Sequence, residues 1–208
     1  MILIDVNGTI SDLSGAKRNI FDEVTLRHFR EWGFTGTPEK LKKLFAEVDE
    51  DLKYRIHSLK DYPKEVAKRL KLKVSDEKIH QENSNFQNKM IETSVISQET
   101  AEALKKLSKE VELVIFTNGW DQIVFPLLEK FEVLNCFADV VCIGGTGMNK
   151  EKGHVFPDLK KRGAWAMIGD KAHKDGLSEK FGIKFIDIGH GWDAAIKEII
   201  NLKRQRRK

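Results

Sequence analysis

The sequence predicts an α/β fold, a parallel sheet wrapped in helices, with a helical segment inserted after the first strand. Three observations carry this. Five short runs rich in Val, Ile and Phe can be marked along the 208 residues. The last four alternate with helical or turn-bearing segments, as a parallel sheet requires. The first run is separated from the second by a long interval whose apolar residues keep a helical period.

The first run, Ile2 to Ile4, leads into Asp5 and then into Asn7, Gly8 and Thr9. This is how a buried strand ends and opens a loop. Ligands of open α/β sheets gather at the carboxyl ends of the strands, so Asp5 is expected to stand exposed at the crevice, with Gly8 letting the backbone turn close to a ligand. Asn-Gly is also an ordinary turn dipeptide, and the stretch alone does not separate the two readings.

The interval that follows is helical by pattern. Phe21, Val24, Phe29 and Trp32 mark one helix. Leu41, Leu44, Phe45, Val48, Leu52 and Ile56 recur at spacings of three and four, one apolar stripe on a charged helix. Val66 and Leu70 mark another, and Ser75 before Asp76 and Glu77 reads as an N-cap opening a helix that carries Ile79, Phe86 and Met90. Residues 14–95 therefore form the expected helical insertion, placed to act as a lid, and residues 1–13 and 96–208 the core. The remaining strands are expected at Val111 to Phe116, Val140 to Ile143, Ala164 to Ile168 and Ile183 to Ile188.

Bulk properties exclude several classes. The chain is apolar enough to bury a core and carries a net charge of only +4, so a general electrostatic nucleic-acid binder is not indicated. The last six residues, Lys203 to Lys208, carry five positive charges, so the rest of the chain is slightly acidic. The basic tail reads as a solvated helix end, an anionic partner being the minor alternative. Cys136 and Cys142 lack the paired spacing of a zinc site and read as reduced core residues. With no leader pattern before the first strand and no apolar run of membrane-spanning length, the expectation is a cytoplasmic protein with no membrane partner.

Three more strand ends carry polar groups. "VELVIFTNGW" places Thr117 and Asn118 where a hydroxyl and turn N–H groups could hold an anion, or where an Asn-Gly turn simply closes a strand. "AWAMIGDKAHKDG" places Asp170 and Asp175 after a strand, hard oxygen donors of the kind that suit Mg²⁺. Between them, "GMNKEKGHVF" offers Lys150 and Lys152 as a fixed positive charge.

Together these four stretches resemble the motifs of the haloacid dehalogenase-like (HAD) superfamily of hydrolases. "ILIDVNGT" matches the first motif at Asp5, Gly8 and Thr9, "VIFTNG" the second at Thr117, Lys150 with Phe156 the third, and Gly169, Asp170 and Asp175 the fourth. The resemblance implies a Rossmann-like core with a helical cap and a small phosphorylated metabolite as substrate. Asp5 is then the nucleophile, Thr117 and Asn118 hold the phosphoryl oxygens, and Lys150 keeps the nucleophile ionised. Mg²⁺ is held by Asp5, the main-chain carbonyl of Asn7 and Asp170, with Asp175 behind them. The departure is Asn7. The family's phosphatases carry an Asp there that protonates the leaving alcohol, and an amide cannot exchange that proton near neutral pH. The readings open at this point are a phosphatase or phosphotransferase for good leaving groups, a dehalogenase or phosphonatase, a catalytically impaired binding protein, or a substitution that traps an intermediate. The acids of the fourth motif favour Mg²⁺-dependent phosphoryl chemistry. Arg55, His57 and Lys60 of the cap are guesses at substrate contacts, and His173 and His190 lie near the crevice by position alone.

Overall fold

The computed structural model describes residues 1–148, 153 and 155–206. The chain divides into two compact units. One comprises residues 1–12, 95–144 and the described part of 149–208; the other comprises 13–94 together with 145–148.

The first unit is built on five strands, β1 (Ile2–Ile4), β2 (Leu113–Thr117), β3 (Asp139–Cys142), β4 (Ala166–Gly169) and β5 (Lys184–Asp187). All adjacent pairs are parallel, in the order β3-β2-β1-β4-β5. β1, β2 and β4 are buried along their whole length, which is why they read as unbroken apolar runs instead of alternating ones. The chain builds outward from β1 to β3 and then returns to place β4 on the other side of β1. That reversal makes the carboxyl ends of β1 and its neighbours the switch point where α/β sheets take up ligands.

Where the strands fall short of their apolar runs, a neighbouring turn has taken the residue. Val111 closes the helix Gln98–Ser108 through its N–H to the Leu107 carbonyl, at 3.1 Å, so β2 starts two residues later. Ala164 likewise donates to Leu159 at 3.0 Å, behind Gly163 at φ +96°, to end the short helix Phe156–Lys161. Ile188 opens a 3₁₀ turn that the Asp187 carboxylate caps at Gly189 N–H, 2.8 Å away. The core on one face of the sheet gathers Leu3, Phe116, Phe156, Met167 and Ile183, with the Phe156 ring edge-on to Phe116 at 5.4 Å. Cys136 and Cys142 are free thiols, half-buried and not in the core as expected.

In the second unit the helices are α1 (Leu13–Ile20), α2 (Arg27–Glu31), α3 (Pro38–Leu52), α4 (Asp61–Arg69) and α5 (Asp76–Thr93). A π-helical turn, Phe21–Leu26, joins α1 to α2. Thr37 caps α3 ahead of Pro38 at its first position, and Ser75 caps α5. Phe29, Leu41, Val48 and Val66 are fully buried and form the centre of a separate core, where Phe21 and Phe29 meet Phe45 edge-on. Ile56 does not continue the α3 stripe. The helix ends at Leu52, and Ile56 bridges Thr146 in antiparallel fashion with 88% of its surface exposed. The next residue's N–H donates to Gly145, so the four residues 145–148 join this unit through backbone pairing.

One acid is buried in that helical unit. Glu82 on α5 is 3% exposed and accepts a hydrogen bond from the Thr25 hydroxyl, in the π turn, at 2.9 Å. Burial pushes its carboxyl up to about 7. Nearby His28 on α2, also buried, has Nε2 3.0 Å from the Asn85 amide of α5, and burial lowers its pKa against the opposing pull of Glu31. Among the described residues no helix is long and apolar enough to cross a membrane.

Candidate functional site

Asp5 follows β1 directly, and its N–H extends the ladder by donating to the Ile168 carbonyl of β4 at 3.0 Å. This pairing sets Asp5 beside the end of β4, where Gly169 and Asp170 follow Ile168. Asp175 opens a 3₁₀ segment five residues on. One carboxylate oxygen from each of Asp5, Asp170 and Asp175 can be chosen so that all three lie within 4.8 Å of one another. Asp5 and Asp175 are buried, at 6% and 2% exposure. The expectation of an exposed Asp5 is therefore corrected: the acid sits under its loop.

That loop is wound tightly. The N–H groups of Thr9, Ile10 and Ser11 converge on the Val6 carbonyl at 3.3, 2.9 and 3.0 Å, while Gly8 N–H donates to Ser11 at 2.8 Å. Gly8 holds φ +84°, and a Cβ there would run into the Asp170 carboxylate. At Gly169 a Cβ would meet the Asp175 carboxylate. Both glycines are thus required by space, and at Gly8 also by backbone conformation. The Thr9 and Ser11 hydroxyls are buried and without a hydrogen-bond partner among the described residues. The sequence reading gave neither a role, although Thr9 stands in the first motif and Ser11 two residues beyond it. Asn7 is half-buried and pairs its backbone with Ser11 in an isolated bridge.

Three acids around one point repel unless a cation lies among them. Hard oxygen donors at this spacing suit a small divalent ion, whose opposite ligands stand about 4 Å apart. Space kept open by Gly8 and Gly169 adds to the fit. Asp5, Asp170 and Asp175 are the residues that would hold such an ion.

Thr117 ends β2 and is 2% exposed. Its hydroxyl oxygen accepts from Gly119 N–H at 3.1 Å, so that one turn N–H is engaged within the turn. That bond uses the oxygen as an acceptor and does not consume its proton. Asn118 stands beside it in the same turn, which Gly144 closes by donating to Gly119 at 3.0 Å. Cys142 lies next to Thr117 in register. Burial, reinforced by the Asp121 carboxylate, pushes its thiol up to about 12, so it offers no nucleophile at neutral pH.

Lys150 and Lys152 lie outside the described residues. Phe156, the aromatic partner of the third motif, is fully buried against Phe116 and Phe181. His173 and His190 are exposed. In the helical unit Arg55 and Lys60 are exposed, whereas His57 is fixed, with Nδ1 2.8 Å from the Arg55 carbonyl and Nε2 3.0 Å from the Tyr62 hydroxyl. The sequence reading missed Lys171, whose ammonium lies 3.0 Å from Asp170 Oδ2. Its only signal was a lysine directly after a motif acid.

The fold is that of the haloacid dehalogenase-like hydrolases. Among solved structures the chain is similar to a 2-haloacid dehalogenase from Pseudomonas syringae pv. Tomato DC3000, at 18% identity and TM-score 0.61 over 91% of this chain and 86% of that one. A magnesium-bound HAD-hydrolase from Bacillus subtilis shares 16% identity at TM-score 0.60, over 88% and 85% of the two chains. A HAD phosphatase from Thermococcus onnurineus shares 18% at TM-score 0.59, over 89% and 84%. No protein-family model matches the chain, and no curated protein is significantly similar to it.

Proposed function

We propose that the protein is a HAD-superfamily hydrolase that transfers the phosphoryl group of a small phosphorylated metabolite to Asp5 and then to water, with Mg²⁺ as cofactor. The observation that carries this reading is the convergence of Asp5, Asp170 and Asp175 within 4.8 Å. A carboxylate attacking an anionic phosphate needs its charge offset, and three gathered acids are what a cation site requires. Displacement of halide by a carboxylate has no such need. Asp5, Asp170 and the Asn7 carbonyl would be ligands, and Asp175 would orient them. When bound, Mg²⁺ would neutralise the phosphoryl oxygens and the attacking carboxylate.

The chain's residues then divide the work. An Asp5 oxygen forms a bond to phosphorus as the ester P–O bond breaks, giving an aspartyl phosphate and the leaving alkoxide. Thr117 donates its hydroxyl proton to a phosphoryl oxygen, and Asn118 holds another. Lys150 supplies positive charge beside the nucleophile. Water attacks phosphorus in the second step and releases inorganic phosphate and Asp5. Asn7 can hydrogen-bond in either step but carries no proton to give, so the leaving oxygen takes its proton from solvent. The loss is on the order of 10² to 10⁴ in rate for alkoxide leaving groups. Acyl and other good leaving groups are therefore the favoured substrates.

A phosphatase screen over a metabolite panel, run with and without Mg²⁺ and including a 2-haloacid and a phosphonate, tests this. Phosphate release that chelation abolishes is expected. Halide release indifferent to chelation would replace the reading with dehalogenation, which the absence of a second acid at Asn7 would suit.

A further inference from the structure

We propose that Lys171 is a built-in counter-ion of the acidic site, a tethered ammonium that pairs with Asp170 and competes with a divalent cation for it. The inference rests on the reading of Asp5, Asp170 and Asp175 as a cation site, and it concerns how tightly that site binds.

Three features of Lys171 point the same way. Its Nζ lies 3.0 Å from Asp170 Oδ2 and 3.3 Å from Oδ1, so it covers both oxygens of the carboxylate. Its backbone N–H is turned to Asp175, 3.4 Å from Oδ2. The residue is thus fixed at its main chain by one acid of the site and at its side chain by another. Finally, the ion pair is half-shielded, with 34% of the lysine side chain and 26% of the aspartate side chain exposed, so water weakens it less than a surface pair.

The consequence follows from linkage. A divalent ion that takes an Asp170 oxygen must compete with an ammonium already there, and whatever the pair contributes to the metal-free state is subtracted from metal affinity. A lysine that stays in place would also set a positive charge against the incoming ion. Lys171 therefore weakens divalent binding and lets the protein stay folded without it. A site so arranged responds to Mg²⁺ concentration instead of holding the ion permanently.

The test is Lys171→Gln, which removes the charge and keeps a hydrogen-bonding side chain one atom shorter, with exposed Lys180→Gln as a charge-matched control. Mg²⁺ binding is measured by calorimetry and Mn²⁺ binding by electron paramagnetic resonance, on full-length protein stripped with chelator. The Gln variant should bind both ions roughly fivefold more tightly than wild type, with the control changed far less. Its metal-free Tm should fall below wild type, and saturating Mg²⁺ should bring the two together. Unchanged or weaker binding in Lys171→Gln overturns the proposal while leaving the metal site standing. An equal Tm loss with and without metal overturns it too, because Lys171 would then be a structural residue. If neither wild type nor variant binds either ion, the cation site itself falls, and the proposal with it.

Discussion

Asp5 is held under its loop with two other carboxylates close by, and this makes one substitution diagnostic. Asp5→Asn removes the nucleophilic oxygen and a negative charge from a crowded site. Turnover should drop below about one per cent of wild type, whereas the metal-free Tm should not fall, because repulsion is relieved. Activity assays and thermal denaturation on the same preparation check both. Asn7→Asp is the converse. The exchange is nearly isosteric and leaves the main-chain carbonyl in place, so hydrolysis of alkyl phosphates should rise by roughly 10² or more, and that of acyl phosphates by much less in the first step. Burst and steady-state phases separate transfer to Asp5 from hydrolysis of the intermediate; a uniform fall across all esters would refute the proton-transfer account. Gly8→Ala should cost about 1 kcal/mol from its left-handed backbone, by denaturant unfolding, and should weaken Mg²⁺ binding as well because the methyl group displaces Asp170.

At the scale of elements, the contact between α5 and the π turn carries a pH dependence. Glu82 holds its proton up to about pH 7 in the folded unit, against an ordinary value of 4.5. Its folded pKa is raised, so the stability linked to its proton is complete below pH 4.5 and is lost as pH climbs through 7, after which the loss levels off. The loss is on the order of 3 kcal/mol at most. His28 works in the opposite sense, since its lowered pKa takes stability away as pH falls below its ordinary 6.5. The comparison must therefore be a difference. Glu82→Gln, which can still accept from Thr25, should be relatively more stable than wild type at pH 8 than at pH 5. Urea unfolding at the two pH values measures this, and parallel curves for the two proteins would show that Glu82 titrates normally.

For the molecule as a whole, the basic C-terminus is less of a free tail than its composition implies. The last helix, Trp192–Arg206, takes in the tail's first four residues, 203–206. Lys203 donates to the Glu110 carbonyl at 2.5 Å and pairs with its carboxylate at 3.1 Å, and Arg206 lies over the Trp165 ring at 5.4 Å. Deleting Lys203 to Lys208 should thus cost about 1–2 kcal/mol, the worth of one shielded pair and one cation–π contact, while leaving kcat/KM of the folded enzyme unchanged. Thermal denaturation and kinetics of the truncated protein check this. Salt-sensitive nucleic-acid binding that vanishes with the deletion would instead restore the tail's role as an anion-binding arm.

The sequence alone was enough to read the strand–helix alternation, the helix start at Ser75, and the four polar strand ends. Period, capping and turn chemistry are local and need no partner to be recognised. It overextended β2, β4 and β5, because an apolar residue that closes a helix looks the same as one that opens a strand, and it set β3 one residue late. It misplaced Ile56, which fits the α3 period but pairs with Thr146, far along the chain. That Asp170 would lie beside Asp5 came from the resemblance of the motifs, not from their spacing along the chain. The placement depends on the return of the chain from β3 to the far side of β1, and strand order is a choice among whole-sheet packings. Likewise the burial of Glu82 beneath Thr25 and the closure of Lys171 onto Asp170 follow from how side chains fill space around an already formed backbone. The sequence supplied the reactive groups; only the packed fold decided which of them share a dielectric and a charge.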